Sequence, residues 1–341
     1  MNPEIKQYFN ILCNNDYPKF IDKYISTKPL QRLDKIGQFC GCDYTKIFNC
    51  KYWYSRLSHS IACSLMAWHF TKDKTQTLAA LFHDLGTPAF SHTIDYLLGD
   101  AMNQNSSEKS VKDIINESDE IISLLKEDNI SLDDVTDLDK YPILENERPK
   151  LCVDRLDGIL HTGLIWIGFW NLEDIKKIYT NITVLKNEEG VDELGFEDLN
   201  SAEYFYRGQQ QYSLVLQQNE DKYTMQFISD ILKILINEEQ LTIQELYVLS
   251  EAEIIKKINA CSKTSKQWDI FCKTSKIKRS KSKPKNCYYI STACKKRYVI
   301  PLVGPNRIDE VSLMAKELLK EYNEYSDTLY AYIDGIEMDV K

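Results

Sequence analysis

The strongest hydrophobic pattern in the chain is the run Thr77-Leu78-Ala79-Ala80-Leu81-Phe82, which predicts a buried helix closed by Gly86 and Pro88. Before it, Ser55 to Ser60 leads into apolar positions at Ile61, Cys63, Leu65, Met66 and Phe70, a second buried helix with His59 in its first turns. Residues 1–50 read as shorter helical pieces, cut at Pro29 and opened into a loop at Gly37 and Gly41. Further helices are predicted from Ser106 through Leu125, from Pro149 through Leu160, from Ser201 to about Leu216 and from Tyr223 to Ile236. A capping box, Ser250 with Glu253, starts a shorter one. The period changes to two only briefly: Asn181–Leu185 and Val191–Phe196 read as a hairpin. Near the end, Arg297–Leu302 and Thr328–Ile333 read as strands around an amphipathic helix from Ile308 to Tyr322.

The expected fold class is therefore mainly α. Residues 1–255 would form a large helical domain with a small hairpin, 256–297 a basic linker or loop, and 298–341 a small α/β appendage.

Composition alters this picture in two places. The net charge is −9, yet residues 256–298 hold fourteen Lys and Arg against one acid, Asp269; that segment carries +13 and the remainder −22. Such asymmetry marks either a solvated loop or a surface for nucleic acid or a regulatory nucleotide. Ten cysteines are scattered without a Cys-x-x-Cys pair, as reduced thiols would be; Cys40, Cys42 and Cys50 lack an evident fourth zinc ligand. No leader pattern opens the sequence and no run of eighteen apolar residues occurs, so a soluble, cytoplasmic protein without a membrane partner is expected.

Candidate chemistry gathers around His83-Asp84, an imidazole and a carboxylate placed side by side at the end of an apolar helix. Burying either without a partner costs several kcal/mol, roughly, and a bound cation removes that cost. Three of the five histidines, His59, His83 and His92, fall within 34 positions of one another; His69 and His161 read as structural. Asp154 and Asp157 lie three apart on one helix face, where a metal or an arginine would partner them. The acidic loop Ser131–Asp137 lacks the glycine and terminal glutamate of a calcium loop.

The order His59, His83-Asp84, Asp154 resembles the HD-domain metal phosphohydrolases. Gln31-Arg32-Leu33, Arg56-Leu57-Ser58-His59-Ser60, His83-Asp84-Leu85-Gly86, Phe90-Ser91-His92 and Asp154-Arg155-Leu156-Asp157 resemble the motifs of its deoxynucleoside triphosphate triphosphohydrolase (dGTPase-like) branch, over roughly residues 20–255. The resemblance implies a helical HD-domain fold and a homo-oligomer. It also implies one divalent ion (Mn, Fe, Co, Ni, Zn or Mg) held by His59, His83, Asp84 and Asp154, contacting an α-phosphate oxygen and acidifying a water. His92, with Asp95 behind it, and Glu108 would serve acid–base or orienting roles. Arg56 and Arg155 would clamp phosphate, and Gln38 would face the sugar or base. The implied reaction converts a dNTP to deoxynucleoside and triphosphate.

The sequence also departs from that branch. Thr87 replaces a His or Asn, Ser107 the histidine of a His-Glu pair, Gly158 a tyrosine and Thr162 an aspartate, the last two being residues that recognise the sugar 3′-hydroxyl. These differences keep open a nucleotide-binding regulatory module with weak turnover, or a hydrolase of another phosphate ester, either nucleotidase or nuclease.

Overall fold

The computed structural model describes residues 2–99 and 110–338. It is mainly helical, and among the described residues no helix is long and apolar enough to cross a membrane. Two central helices pack against each other. Arg56–Thr71 starts at Ser55, whose side chain accepts from the Ser58 N–H, and is buried almost continuously from Arg56 to Ala67. Lys74–Phe82 starts at Asp73, which accepts from the Gln76 N–H, and buries every residue from Thr77 to Phe82. This helix ends at Phe82, before Gly86 is reached. The chain then turns sharply, with Leu85 N–H on Phe82 O at 3.0 Å and Thr87 N–H on Asp84 O at 2.9 Å.

The segment expected as one helix over 106–125 is divided, in its described part, into Val111–Asn116 and Asp119–Glu127, each with its own serine cap, Ser110 and Ser118. Val153–His161 crosses beside the central pair and runs into a π-helical turn, Thr162–Ile167.

Two apolar cores form. The larger gathers around the central helices, and the smaller around Asn219–Asn237, which buries Tyr223, Phe227, Ile228, Ile231, Leu232 and Leu235. The hairpin is present as β1 (Ile182–Lys186) and β2 (Asp192–Phe196), in antiparallel register Ile182↔Phe196.

The C-terminal third differs from its expected form. Residues 256–297, read as a linker or loop, hold the second half of the Glu251–Ala260 helix, the helix Ser265–Lys273, β3 (Lys278–Ser280) and β4 (Tyr289–Ile290). The apolar residues between the charges explain this: Ile258, Trp268, Phe271 and Tyr288 are buried in the smaller core, so the lysines are a solvated face of folded chain. The strands of 298–341 complete sheets begun elsewhere. β5 (Leu302–Val303) pairs parallel with β2 and antiparallel with β6 (Asn306–Arg307), while β7 (Tyr330–Tyr332) lies between β3 and β4. Gly195 permits the β2–β5 approach, since a Cβ there would come within 2.8 Å of Leu302 Cβ. Glu193, fully buried, accepts from Arg307 at 2.6 and 2.9 Å and from the Leu151 N–H at 3.1 Å, tying the hairpin to both. The expected helix at 308–322 is present as Ile308–Val311 and Leu313–Glu324, the latter packed on Leu199–Val215.

Buried Glu251 joins the smaller core to the loops that carry the site. Its carboxyl accepts from the N–H groups of Gly37 and Phe90, both at 3.0 Å, and from Tyr44 OH at 2.8 Å. Burial pushes its pKa up to about 7 against those three donors. Burial, with the Glu251 charge, pushes neighbouring Asp43 up to about 8. Both folded values exceed the ordinary ones, so this contribution to stability is complete below about pH 4 and is lost as pH rises through 7 to 8. Thermal unfolding followed from pH 5 to 9 should show a falling midpoint, and Glu251→Gln and Asp43→Asn should each flatten the fall; parallel curves for wild type and both variants would refute it.

Candidate metal centre

Three elements bring the histidines and aspartates together. Helix Arg56–Thr71 supplies His59, the turn after Phe82 supplies His83 and Asp84, and helix Val153–His161 supplies Asp154 and Asp157. His83 Nδ1 lies 2.7 Å from Ala80 O, which can only accept; that nitrogen therefore carries the proton and Nε2 carries a lone pair. His59 Nδ1 lies 2.6 Å from Asp157 Oδ2, which fixes the same tautomer. The two Nε2 atoms are 3.3 Å apart, and His59 Nε2 is 3.0 Å from Asp154 Oδ1. Asp84 Oδ2 is 3.8 Å from each Nε2, and His83 Nε2 is 3.7 Å from Asp154 Oδ1.

Four electron-rich atoms thus converge on one point, a repulsive arrangement unless a positive charge lies among them. Ligands about 2.1 Å from a shared ion stand about 3.0 Å apart at right angles and about 3.8 Å apart at an angle of about 130°, so the spacing of 3.0 to 3.8 Å suits one divalent ion in a distorted geometry. Two imidazoles and two carboxylates are a donor set for a first-row transition metal or, less favourably, magnesium. Although burial opposes it, Arg56 and the two imidazoles hold the Asp84 carboxyl below the usual carboxylate range.

Asp157 anchors the arrangement from behind. Fully buried, it accepts on Oδ2 from His59 and from His161 Nδ1 (2.9 Å), on Oδ1 from Tyr8 OH (2.6 Å), and on both oxygens from Tyr54 OH at 3.3 Å. Its hydrogen-bond partners are histidines and tyrosines, not the arginine that its helix face suggested as one alternative. Cys63, one turn after His59, has Sγ 3.8 Å from both ring nitrogens; burial pushes this thiol up to about 12, so it is neutral.

Arg56 donates from Nη1 to Asp84 Oδ2 at 2.8 Å and from Nε to Ser91 Oγ at 3.0 Å. Thr87 donates to Asp84 Oδ1 at 3.1 Å and holds that carboxylate from its other side. His92 Nδ1 is 3.1 Å from Asp95 Oδ2, with Asp95 fully buried. Burial keeps the His92 ring below the ordinary imidazole range despite Asp95, so it is neutral at pH 7, with Nε2 free to accept. Arg155 is engaged with the preceding loop: Nη2 donates to Glu145 Oε1 at 2.7 Å, Nη1 to Lys150 O at 2.8 Å, and both to Asn146. Glu108 and its neighbour Ser107 lie outside the described residues.

The cluster opens through Asp154 onto a cleft of about 140 Å³. Gln38, Arg56, His92 and Arg155 line it, and Gln38 Oε1 is buried there with no hydrogen-bond partner. Arg148, His161, Asp221, Lys295 and Arg297 also line it, none of them foreseen from sequence. His161, four residues after Asp157, had a local signal in that spacing. Lys295 and Arg297 had none, because a strap from the end of the basic segment brings them here. Gln217 donates to Lys295 O at 2.9 Å, and Tyr322 OH accepts from the Arg297 N–H at 2.9 Å, fixing the strap's backbone. Burial together with Arg297 holds Arg148 below its ordinary pKa, and burial, Arg148 and Arg297 do the same to Lys295. Cations crowded so closely make an attractive field for an anion.

No protein-family model matches the chain. Over 168 residues, 48% of this chain and 49% of the relative, it is 26% identical to the uncharacterized protein YdhJ of Bacillus subtilis. Over 128 residues, 38% of this chain and 36% of the relative, it is 26% identical to the protein named metal-dependent phosphohydrolase cns2 of Cordyceps militaris. The matched residues thus span about half the length of the first relative and about a third of the second.

Because Asp157 sets the tautomer and aim of His59, Asp157→Asn should weaken divalent-metal binding by roughly 10- to 100-fold. Competition of Mn or Co against a chromogenic chelator measures this directly. Tyr8→Phe, which leaves both histidine contacts in place, should change it little, and an Asp157→Asn protein that binds metal as wild type would refute the assignment.

Proposed function

We propose that the protein is a divalent-metal phosphohydrolase of the HD type acting on nucleotides, with dNTP hydrolysis to deoxynucleoside and triphosphate as the leading reaction. The observation carrying this reading is the convergence of His59, His83, Asp84 and Asp154 at the mouth of a cleft walled by Arg56, Arg148, Arg155, Lys295 and Arg297. The relative named metal-dependent phosphohydrolase supports the general class. A divalent ion held by the four ligands would supply Lewis-acid stabilisation of a phosphoryl oxygen and lower the pKa of water.

The chain's own residues account for the rest. Arginines and Lys295 attract and orient the phosphates. His92, its Nδ1–H donated to Asp95, offers Nε2 for proton transfer. In the leading reaction water adds to the α-phosphorus, the bond from that phosphorus to O5′ breaks, and the departing oxygen takes a proton. Phe39, Tyr96 and Trp166 supply apolar wall for a base or sugar.

The sugar side is open. Gly158 lies one helical turn from Asp154 on the same face, and a Cβ there would meet nothing within 4 Å. This space does not itself exclude a 2′-hydroxyl, so ribonucleotides belong in the assay.

Anion-exchange analysis of products from each dNTP and rNTP with Mn-loaded protein tests the proposal. Intact triphosphate plus nucleoside is expected, lost in Asp84→Ala and reduced about 10²- to 10⁴-fold in kcat by His92→Ala. Gly158→Leu should raise KM at least about tenfold while metal binding persists, because the added side chain fills the substrate's space. Mono- or diphosphate products would move the scissile bond. Tight nucleotide binding without turnover would favour the regulatory module, and neither binding nor turnover would refute the reading.

A further inference from the structure

The basic segment contributes Lys295 and Arg297 to the cleft, but Lys276, Lys278, Arg279, Lys281, Lys283 and Lys285 lie on or beside β3 of the sheet β3–β7–β4, none of whose residues lines the cleft. The two faces of this sheet differ sharply. Ala331 and Ile290 point into the smaller core and are almost completely buried. Arg279, in register with Ala331, is tied to Glu220 and Asp327. On the opposite face the pairings Lys278↔Tyr332, Ser280↔Tyr330 and Tyr289↔Tyr332 place three tyrosines together. All three are half-buried. Tyr289 and Tyr330 meet edge-on with centroids 5.5 Å apart, and Lys283 Nζ sits 5.3 Å from the Tyr289 centroid.

Lys278 lies in register with Tyr332 and Lys283 over Tyr289, and Lys276, Lys281 and Lys285 neighbour them along the chain; all five are exposed. The nearby acid Asp334 is paired with Lys278. Tyrosine at three neighbouring positions on the outer face of a small sheet has no core to fill, and a face needed only for solubility would not present rings.

We infer that this face is a binding platform for single-stranded nucleic acid, separate from the metal cleft. Exposed bases of a single strand stack on Tyr289, Tyr330 and Tyr332, and its phosphates run along the lysines. A duplex hides its base faces, so the rings favour a single strand over it. The charge complements a polyanion, and the rings distinguish a nucleic acid from a polyanion without bases.

Fluorescence anisotropy of a labelled oligo(dT) 15-mer with the full chain tests the platform, with the matching duplex and phosphatidylserine vesicles as comparisons. Binding to the single strand at low salt is expected, weakened roughly tenfold by Tyr289→Ala or Tyr330→Ala. Reversing Lys281, Lys283 and Lys285 to Glu should lower the slope of log K against log salt by about 2 or more. Excess dNTP, which occupies the cleft, should not displace the oligonucleotide. Thermal unfolding of each variant separates lost binding from lost fold. The lysine variant, altered only at exposed positions, keeps the test decisive should a tyrosine variant unfold. The inference is overturned by absence of binding at low salt, by folded tyrosine variants that bind as wild type, by duplex or vesicle binding of equal strength, or by displacement with dNTP.

Discussion

The hydrogen bonds that Asp157 accepts from His59 and His161 are the constraint on which the metal centre depends. A buried carboxylate is tolerable only if its oxygens are satisfied, and four donors satisfy this one. Their consequence is directional: with His59 Nδ1 turned to Asp157, Nε2 is the nitrogen that faces Asp154 and His83 and can offer a lone pair to a cation. Ala80 O performs the same service for His83 through a backbone carbonyl. The cluster is therefore held open for a cation by groups that do not touch it.

The cleft is built on a second principle, the gathering of like charges. Arg56 belongs to the central helix and Arg155 to the helix beside it, while Arg148, Lys295 and Arg297 arrive from separate stretches of chain. Two of the arginines are already engaged locally, Arg56 with Asp84 and Arg155 with Glu145 and Asn146. Arg148, Lys295 and Arg297 crowd one another, and their mutual repulsion is relieved when an anion enters. The strap that brings Lys295 and Arg297 follows β4, so the basic segment lines the cleft with its C-terminal end while its middle forms two strands of the C-terminal sheet.

Several expectations met a physical obstacle that composition does not reveal. The 256–297 stretch reads as a loop because lysine is frequent, yet Ile258, Trp268, Phe271 and Tyr288 are enough to hold it on the smaller core. The appendage at 298–341 reads as a unit because strand, helix and strand follow in order, but short strands find partners where edges are free, and β2, β3 and β4 offer them. Asp157 reads as half of an acidic pair, and only the fold brings Tyr8, 149 residues away, to its oxygen.

From the sequence alone came the helical class and the hairpin, because periodicity acts over a few residues at a time, while the set His59, His83, Asp84 and Asp154 was proposed from the resemblance of short ordered motifs to the HD-domain phosphohydrolases. Tertiary structure alone decided which imidazole nitrogen faces the cluster, which cations wall the cleft, and which face of the basic segment carries its tyrosines. Each of those depends on contacts between residues far apart in the chain, and strand register, helix packing and the satisfaction of buried donors bring such residues together only once the whole chain has folded.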